Sequence, residues 1–237
     1  RITAYDEGGA AAGKLVMYGA EAFVDRRAVA PETPEQKVAD PAPYTFPLVT
    51  RAGWGAAEPT ASYTAQTPVK FTLHHTAGKF TKTLEESIQE VQFDQDYHQN
   101  KNGWIDIGYH FIVDPLGNIF EGRPVTAVGA HVEGYNTGNV GISVMGYYHD
   151  PVNDQPTEAE MASVAEIGAY LRDNYGIKAS AFYAHRELNS TACPGDILYA
   201  KKAELKARIF PAATKEDGAE ALPPPGYESL RQLRSLH

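Results

Sequence analysis

Hydrophobic and polar positions follow two different periods in the first half of the chain. Residues 69–74 are mostly apolar or β-branched, which predicts a buried strand. Thr83 and Glu86 have the spacing of a helix capping box. Apolar side chains then recur at helical spacing, at Leu84, Ile88 and Val91. A helix is therefore predicted over about residues 83–99.

A β-hairpin and a further strand are predicted next. Residues 107–113 and 119–121 are apolar segments that flank residues 114–118, whose proline and glycine favour a tight reversal of the chain. Residues 140–145 form another short apolar run, which is typical of a buried strand.

The second half of the chain predicts a helix, a strand and a final helix. Thr157 and Glu160 form a second capping-box signature, and Gly176 is placed to end the helix that begins there. Residues 180–184 predict a short strand, and a third helix is predicted over residues 194–209. These elements predict an α/β fold with a central mixed β-sheet flanked by about three helices.

Composition divides the chain into four segments. Residues 1–30 contain two apolar patches around a Gly- and Ala-rich stretch, which predicts a partial β-rich N-terminal segment. Residues 31–47 are rich in proline and acidic side chains, which is typical of a linker. The α/β domain is predicted over residues 48–210, and residues 211–237 predict a flexible C-terminal tail.

Charge and hydropathy exclude several classes of function. The net charge of −9 and the pI near 5.4 argue against a general affinity for nucleic acid. No apolar run approaches the ~20 residues that a membrane-spanning helix needs. The single cysteine excludes an internal disulfide. We expect a monomer that does not bind nucleic acid and has no membrane span.

Two histidines and the cysteine suggest a metal site. His74 ends the first predicted strand, His185 follows the last one, and Cys193 precedes the third helix. Imidazole nitrogen and thiolate sulfur are ligands that zinc prefers, and catalytic zinc sites use three protein ligands. His75 is an alternative fourth ligand, although adjacent side chains of a strand point to opposite faces. A lone cysteine is also often a small buried hydrophobe.

Six sequence blocks occur in an order that resembles a known family. They are RAGWGA (51–56), HHTAG (74–78), GWIDIGYHF (103–111), EGR (121–123), HVEGYN (131–136) and HRELNSTACPG (185–195). Over residues 48–200 the chain resembles the peptidoglycan recognition protein family, which includes zinc-dependent N-acetylmuramoyl-L-alanine amidases of the type-2 amidase fold.

The resemblance implies a zinc site and two catalytic residues. It makes His74, His185 and Cys193 the ligands of one zinc ion per chain, with Tyr109 beside the metal and Thr191 in the same pocket. For Tyr109, the alternative is core packing on a strand face shared with its apolar neighbours. For Thr191, the alternative is a helix N-cap.

The resemblance also implies substrate-binding residues. Gly103 and Trp104 match the pair that accompanies a preference for meso-diaminopimelate at the third position of the stem peptide, and the guanidinium of Arg123 is a candidate partner for its extra carboxylate. Alternatively, Trp104 covers the core and Arg123 pairs with Glu121.

Further histidines receive different interpretations. His131 and Asn136 belong to a block that lines the family's groove, so they are predicted to bind substrate; for His131, support of the zinc site or of a loop are alternatives. His75 and His110 are expected to pack or to support the site. Solvent exposure is expected for the histidines outside the motifs, which are His98, His149 and His237.

The predicted function is hydrolysis of the amide between N-acetylmuramic acid and L-alanine in peptidoglycan, by a secreted or cell-wall-associated enzyme. The alternative is a non-catalytic peptidoglycan-binding module. Animal members of the resembled family carry a disulfide soon after the His-His-Thr block. Since this chain has a single cysteine, the resemblance implies a bacterial or phage type. Ser143 stands where intracellular amidases of anhydro-muropeptides have glutamate, which disfavours that subclass.

Overall fold

The computed structural model describes residues 38–212, which form one mixed β-sheet with helices on both faces. The strands are β1 (Lys70–His75), β2 (Phe111–Val113), β3 (Ile119–Glu121), β4 (Asn139–Val144) and β5 (Phe182–Ala184). Their order across the sheet is β3-β2-β4-β1-β5. Strand β1 is parallel to β4 and β5, β2 is parallel to β4, and only β3 is antiparallel. The prediction of an α/β fold with a mixed sheet is confirmed.

Five α-helices are present in this part of the chain. They are α1 (Arg51–Trp54), α2 (Leu84–Asp96), α3 (Glu158–Tyr175), α4 (Asp196–Ala200) and α5 (Lys202–Ile209). Helix α2 continues as a π-helical turn, Tyr97–Lys101, and two 3₁₀ turns flank β5. The third predicted helix is two helices, because the chain leaves regular α-helical geometry at Lys201. None of these helices is long and apolar enough to cross a membrane.

The predicted β-hairpin forms, with a shorter first strand. Asp114 fixes its turn, since its carboxylate accepts hydrogen bonds from the backbone N–H groups of Leu116 and Asn118. A side chain that satisfies turn amides in this way makes Asp a preferred turn residue. Residues 107–110, predicted as strand, lie outside β2 and make backbone hydrogen bonds to several separate segments. For example, His110 N–H donates to the carbonyl of Gly141, and the His110 carbonyl accepts from Gly122 N–H.

The first two of the three predicted helices begin at capping residues. Thr157 accepts a hydrogen bond from Glu160 N–H, and the Glu160 carboxylate accepts one from Thr157 N–H, which is a complete capping box. Thr83 likewise caps α2 by accepting from Glu86 N–H, but the Glu86 side chain accepts from Lys82 N–H instead. The capping residues therefore fix where both long helices begin.

The apolar core lies on both faces of the sheet. The larger cluster joins the sheet to α3 and α5, and the smaller one joins it to α1 and α2. Part of the segment predicted as a linker packs against the larger cluster, because Phe46 is buried and Tyr44 contacts the ring of Tyr170. The predictions for residues 1–30 and for nearly all of the C-terminal tail lie outside the described residues.

Candidate metal centre

The three predicted metal ligands meet at the C-terminal ends of strands β1 and β5. Strands β1 and β5 are parallel, and Leu73 pairs with Ala184. The next residue on each segment is a ligand, so His74 and His185 lie side by side, and their ring centroids are 4.6 Å apart. Parallel pairing therefore brings together two residues that are far apart in sequence.

The donor atoms of this cluster are close enough to share one metal ion. One ligand atom from each of His74, His185 and Cys193 lies within 4.8 Å of the others, and all three side chains are buried. Cys193 Sγ is 3.6 Å from His74 Nδ1 and accepts a hydrogen bond from His75 N–H at 3.4 Å. Two imidazoles and one thiol are the donor set of a catalytic zinc site. The residues therefore fit the ion that the sequence predicted.

His131 lies directly behind His74 and is buried. Its Nδ1 atom is 3.0 Å from His74 Nε2, and its Nε2 atom is 3.1 Å from the backbone carbonyl of Asn139. Burial lowers the pKa of both His74 and His131 well below its ordinary value, and the proximity of further histidines adds to this. His131 therefore contacts a predicted metal ligand, as in the alternative of zinc-site support.

His75 points away from the metal cluster. Its ring lies 5.6 Å from that of His149 and 5.8 Å from that of Tyr147, on the other side of the strand from His74. Burial lowers its pKa to about 3. A role as fourth ligand is therefore wrong, because strand alternation separates the two histidines.

Tyr109 lies beside the metal cluster and is half-buried. Its ring centroid is 5.3 Å from that of His74 and 5.6 Å from that of His98. The expectation that His98 is exposed is wrong: the ring is buried, stacks on Trp104 at 4.7 Å and accepts a hydrogen bond from Gly108 N–H. Burial lowers the pKa of His98 to about 3. No motif signalled this role, because it depends on the irregular chain path from residue 102 to 110.

Thr191 shapes the loop that carries Cys193. Its hydroxyl accepts a hydrogen bond from Cys193 N–H at 3.1 Å. The N-cap of α4 is Gly195, so the alternative of Thr191 as a helix N-cap is wrong. The contact fixes the backbone of the cysteine, two residues further along the chain.

Arg123, which the resemblance made a candidate partner for the substrate carboxylate, is buried. Its guanidinium donates to the backbone carbonyls of Asp106, Ile107 and Val128. Burial lowers its pKa. The alternative pairing with Glu121 is not formed, because the three guanidinium nitrogens of Arg123 donate to these carbonyls and Glu121 accepts from Arg51 N–H. The sequence does not indicate the burial of Arg123, because the carbonyl groups that accept its hydrogen bonds come together only in the folded chain.

The other predicted substrate residues occupy two loops. Gly103 is exposed and has a φ of +69°, and the neighbouring Trp104 is partly exposed. Asn136 orders the loop after His131, because its side-chain oxygen accepts from the N–H groups of His131 and Val132. Gly103 and Trp104 therefore remain candidates for substrate contact, while the side-chain oxygen of Asn136 is engaged within the protein.

The sequence did not predict the structural roles of two buried polar residues, Asp106 and Ser143. Asp106 is buried and pairs with Arg51 at 2.9 Å, so this carboxylate belongs to a structural network rather than to the metal cluster. Ser143 pairs with His74 across the sheet, and its hydroxyl oxygen is buried without a hydrogen-bond partner among the described residues. The sequence marked Ser143 only as the position of a glutamate in another subclass.

The sequence of this chain is similar to those of known proteins. The family model for N-acetylmuramoyl-L-alanine amidase, Amidase_2, matches residues 64–196. Peptidoglycan-recognition protein SC2 of Drosophila melanogaster is 30% identical over 149 residues, which are 62% of this chain and 80% of that protein.

Two solved structures are similar in both sequence and fold. Peptidoglycan recognition protein-LE in complex with tracheal cytotoxin, a monomeric diaminopimelic acid-type peptidoglycan, has a TM-score of 0.61 and 29% identity, covering 72% of this chain and 98% of that one. N-acetylmuramoyl-L-alanine amidase LysC from Clostridium intestinale has a TM-score of 0.56 and 27% identity, covering 68% and 98%. This chain therefore belongs to the peptidoglycan recognition protein and type-2 N-acetylmuramoyl-L-alanine amidase family.

Proposed function

We propose that the protein is a zinc-dependent amidase that hydrolyses the bond between N-acetylmuramic acid and the L-alanine of the peptidoglycan stem peptide. One observation carries this proposal: two imidazoles and a thiol converge within 4.8 Å beside a half-buried tyrosine. A three-ligand site leaves a coordination position for the reaction, whereas a structural zinc site has four protein ligands.

Each side chain at this site has a separate role in the proposed reaction. His74, His185 and Cys193 would hold the zinc, which when bound supplies a Lewis acid for the scissile carbonyl and acidifies a water molecule. The phenol of Tyr109 donates a hydrogen bond to the oxyanion that develops on the carbonyl. Thr191 accepts from Cys193 N–H and so positions the cysteine ligand within the same pocket.

A non-catalytic peptidoglycan-binding module is the competing function. Among the similar proteins, some are named recognition proteins and one is named an amidase. The complete set of metal ligands favours the enzyme, because a module that only binds needs neither a buried thiol nor two converging imidazoles. Because all three ligands come from a single chain, a monomer suffices, and the substrate implies a secreted or cell-wall-associated enzyme.

Digestion of purified sacculi tests the proposal. The protein should release stem peptides that begin with a free L-alanine, and mass spectrometry of the soluble products should assign cleavage to the muramoyl amide. Cys193→Ala should release none. Retention of the zinc-loaded protein on sacculi without any released peptide would favour the binding module instead.

We further propose a preference for diaminopimelate over lysine in the stem peptide. Gly103 lacks a side chain and is exposed next to Trp104, which leaves room for the extra carboxylate of diaminopimelate. The similar protein-LE structure contains a diaminopimelic acid-type peptidoglycan. Arg123 has no part in this proposal, because its guanidinium is buried against backbone carbonyls.

Kinetics on matched muropeptides test this preference. We expect a higher kcat/KM for diaminopimelate-type than for lysine-type substrates. The double variant Gly103→Asn with Trp104→Phe should reduce the ratio, and asparagine is chosen because it tolerates positive φ better than most residues. A wild-type kcat/KM for the lysine type equal to or above that for the diaminopimelate type would contradict the preference.

A further inference from the structure

We propose that His131 fixes the tautomer of His74, so that Nδ1 of His74 is the atom that binds the metal. The inference rests on the proposed zinc site and adds a positioning residue to it. It follows from counting hydrogens along a chain of three groups: the carbonyl of Asn139, the ring of His131 and the ring of His74.

The first step concerns the contact between His131 and the backbone. His131 Nε2 is 3.1 Å from the carbonyl oxygen of Asn139. A carbonyl oxygen only accepts hydrogen bonds, so Nε2 of His131 carries the hydrogen. A neutral imidazole has one N–H group and one lone pair, and Nδ1 of His131 is therefore an acceptor.

The second step carries this assignment to the metal ligand. His131 Nδ1 is 3.0 Å from His74 Nε2, so His74 Nε2 donates the hydrogen of this bond. The lone pair of His74 is then on Nδ1. That atom is the one that lies 3.6 Å from Cys193 Sγ, on the side where the ligands converge. Metal-binding histidines generally donate their second N–H in this way, which fixes tautomer and ring orientation.

The ring of His131 is confined to this orientation by glycines on two sides. A Cβ atom at Gly141 would lie 2.8 Å from its Cγ atom, and one at Gly129 would lie 2.6 Å from its Cδ2 atom. Neither position has room for a side chain. The ring of His110 packs edge-on against that of His131, with the ring centroids 5.6 Å apart. The backbone N–H of His131 donates a hydrogen bond to the side-chain oxygen of Asn136. The surroundings therefore hold both ring nitrogens against their partners.

Zinc affinity of two His131 variants separates positioning from packing. His131→Gln can reproduce both contacts, because its amide oxygen accepts from His74 and its amide nitrogen donates to Asn139. His131→Leu fills the space but makes neither bond. Competition with a chelator should give a zinc dissociation constant about 10- to 100-fold weaker for the leucine variant and within about threefold of wild type for glutamine.

Melting temperatures of the metal-free proteins show whether both variants fold. Equal zinc affinity of wild type and a folded leucine variant would overturn the inference, as would a glutamine variant no better than leucine. If the wild-type protein itself does not bind zinc, the proposed function is contradicted. The tautomer of His74 is then determined by NMR of the metal-free protein.

Nitrogen NMR of the metal-free wild-type protein needs no variant. Long-range ¹H–¹⁵N spectra at neutral pH distinguish the two neutral tautomers from imidazolium for each histidine. We expect the Nε2–H form for both His74 and His131. The Nδ1–H form at either residue, or an imidazolium at His131, would overturn the inference, because His74 Nδ1 would not then be held as the acceptor.

Discussion

Tyr109 allows a test in which a single hydroxyl group changes. Its ring packs against those of His74 and His98, and phenylalanine preserves these contacts. If the phenol donates to the developing oxyanion, Tyr109→Phe should lower kcat by about 10²-fold or more. Steady-state kinetics on a muropeptide measures this loss, while zinc content and melting temperature should stay near the wild-type values.

Tyr183→Phe is the matched control for this prediction. Tyr183 is a partly exposed residue of β5 that contributes no atom to the metal cluster, so its loss of a hydroxyl should leave kcat unchanged. Near-normal turnover of Tyr109→Phe would limit Tyr109 to packing. Loss of zinc from that variant would instead mean that the hydroxyl supports the metal site.

Single residues could be predicted from the sequence where a strand or a motif carried them. Ligand chemistry suggested His74, His185 and Cys193, and the family resemblance assigned them as zinc ligands. The structure brings these three side chains together.

The exposure predicted for His98 was wrong, because its partners are the backbone N–H of Gly108 and the ring of Trp104, in an irregular segment. The partners of the buried Arg123 are likewise backbone carbonyls. No local pattern in the sequence records those contacts.

At the scale of elements, the capping box of α3 also contains a buried carboxylic acid. Tyr148 has one hydroxyl hydrogen but lies 2.8 Å from the carbonyl of Met145 and 2.7 Å from Glu160 Oε1, so a proton on Glu160 satisfies both contacts. Burial raises the pKa of Glu160 to about 7. Helix α3 is therefore joined to the segment that follows β4 through a carboxyl group that binds its proton more tightly in the folded state.

This arrangement predicts a pH-dependent effect of Glu160→Gln on stability. The pKa of Glu160 is about 7 in the folded protein and near 4.5 ordinarily, so its stabilising contribution is complete below about pH 4.5 and is lost as pH rises to about 7. Glutamine keeps the hydrogen bonds without titrating. The free energy of unfolding of the variant relative to wild type should rise between pH 5 and 8, by at most roughly 3 kcal/mol.

Urea unfolding at several pH values measures this difference. Glu166→Gln controls for the loss of one carboxylate, since Glu166 is an exposed position on the same helix. A difference between Glu160→Gln and wild type that stays constant from pH 5 to 8 would rule out a titrating Glu160 in this range.

Elements with explicit start and stop signals could be predicted from the sequence. The hairpin turn, both capped helices and the glycine after α3 lie where the residues indicated. The break between α4 and α5 carries no proline or glycine, so the sequence predicted one continuous helix there. Residues 107–110 were predicted as strand, but they lie outside β2, and their backbone hydrogen bonds go to several separate segments.

At the scale of the whole molecule, parallel strands explain how distant residues form one site. His74 ends β1, and His185 and Cys193 follow β5, which pairs directly with β1. The ordered sequence blocks indicated the family, and the family comparison confirms it. The bacterial or phage type implied by the single cysteine stays a prediction, because it concerns ancestry rather than any contact in the fold.

The most direct test of the account is muropeptide cleavage measured against zinc bound per chain. Protein stripped by a chelator and reloaded in steps should show activity that rises in proportion to bound zinc and reaches a plateau at about one ion per chain. Cys193→Ala should stay at background throughout. Full amide cleavage by the metal-free protein, or none by the protein holding one zinc per chain, would contradict the account.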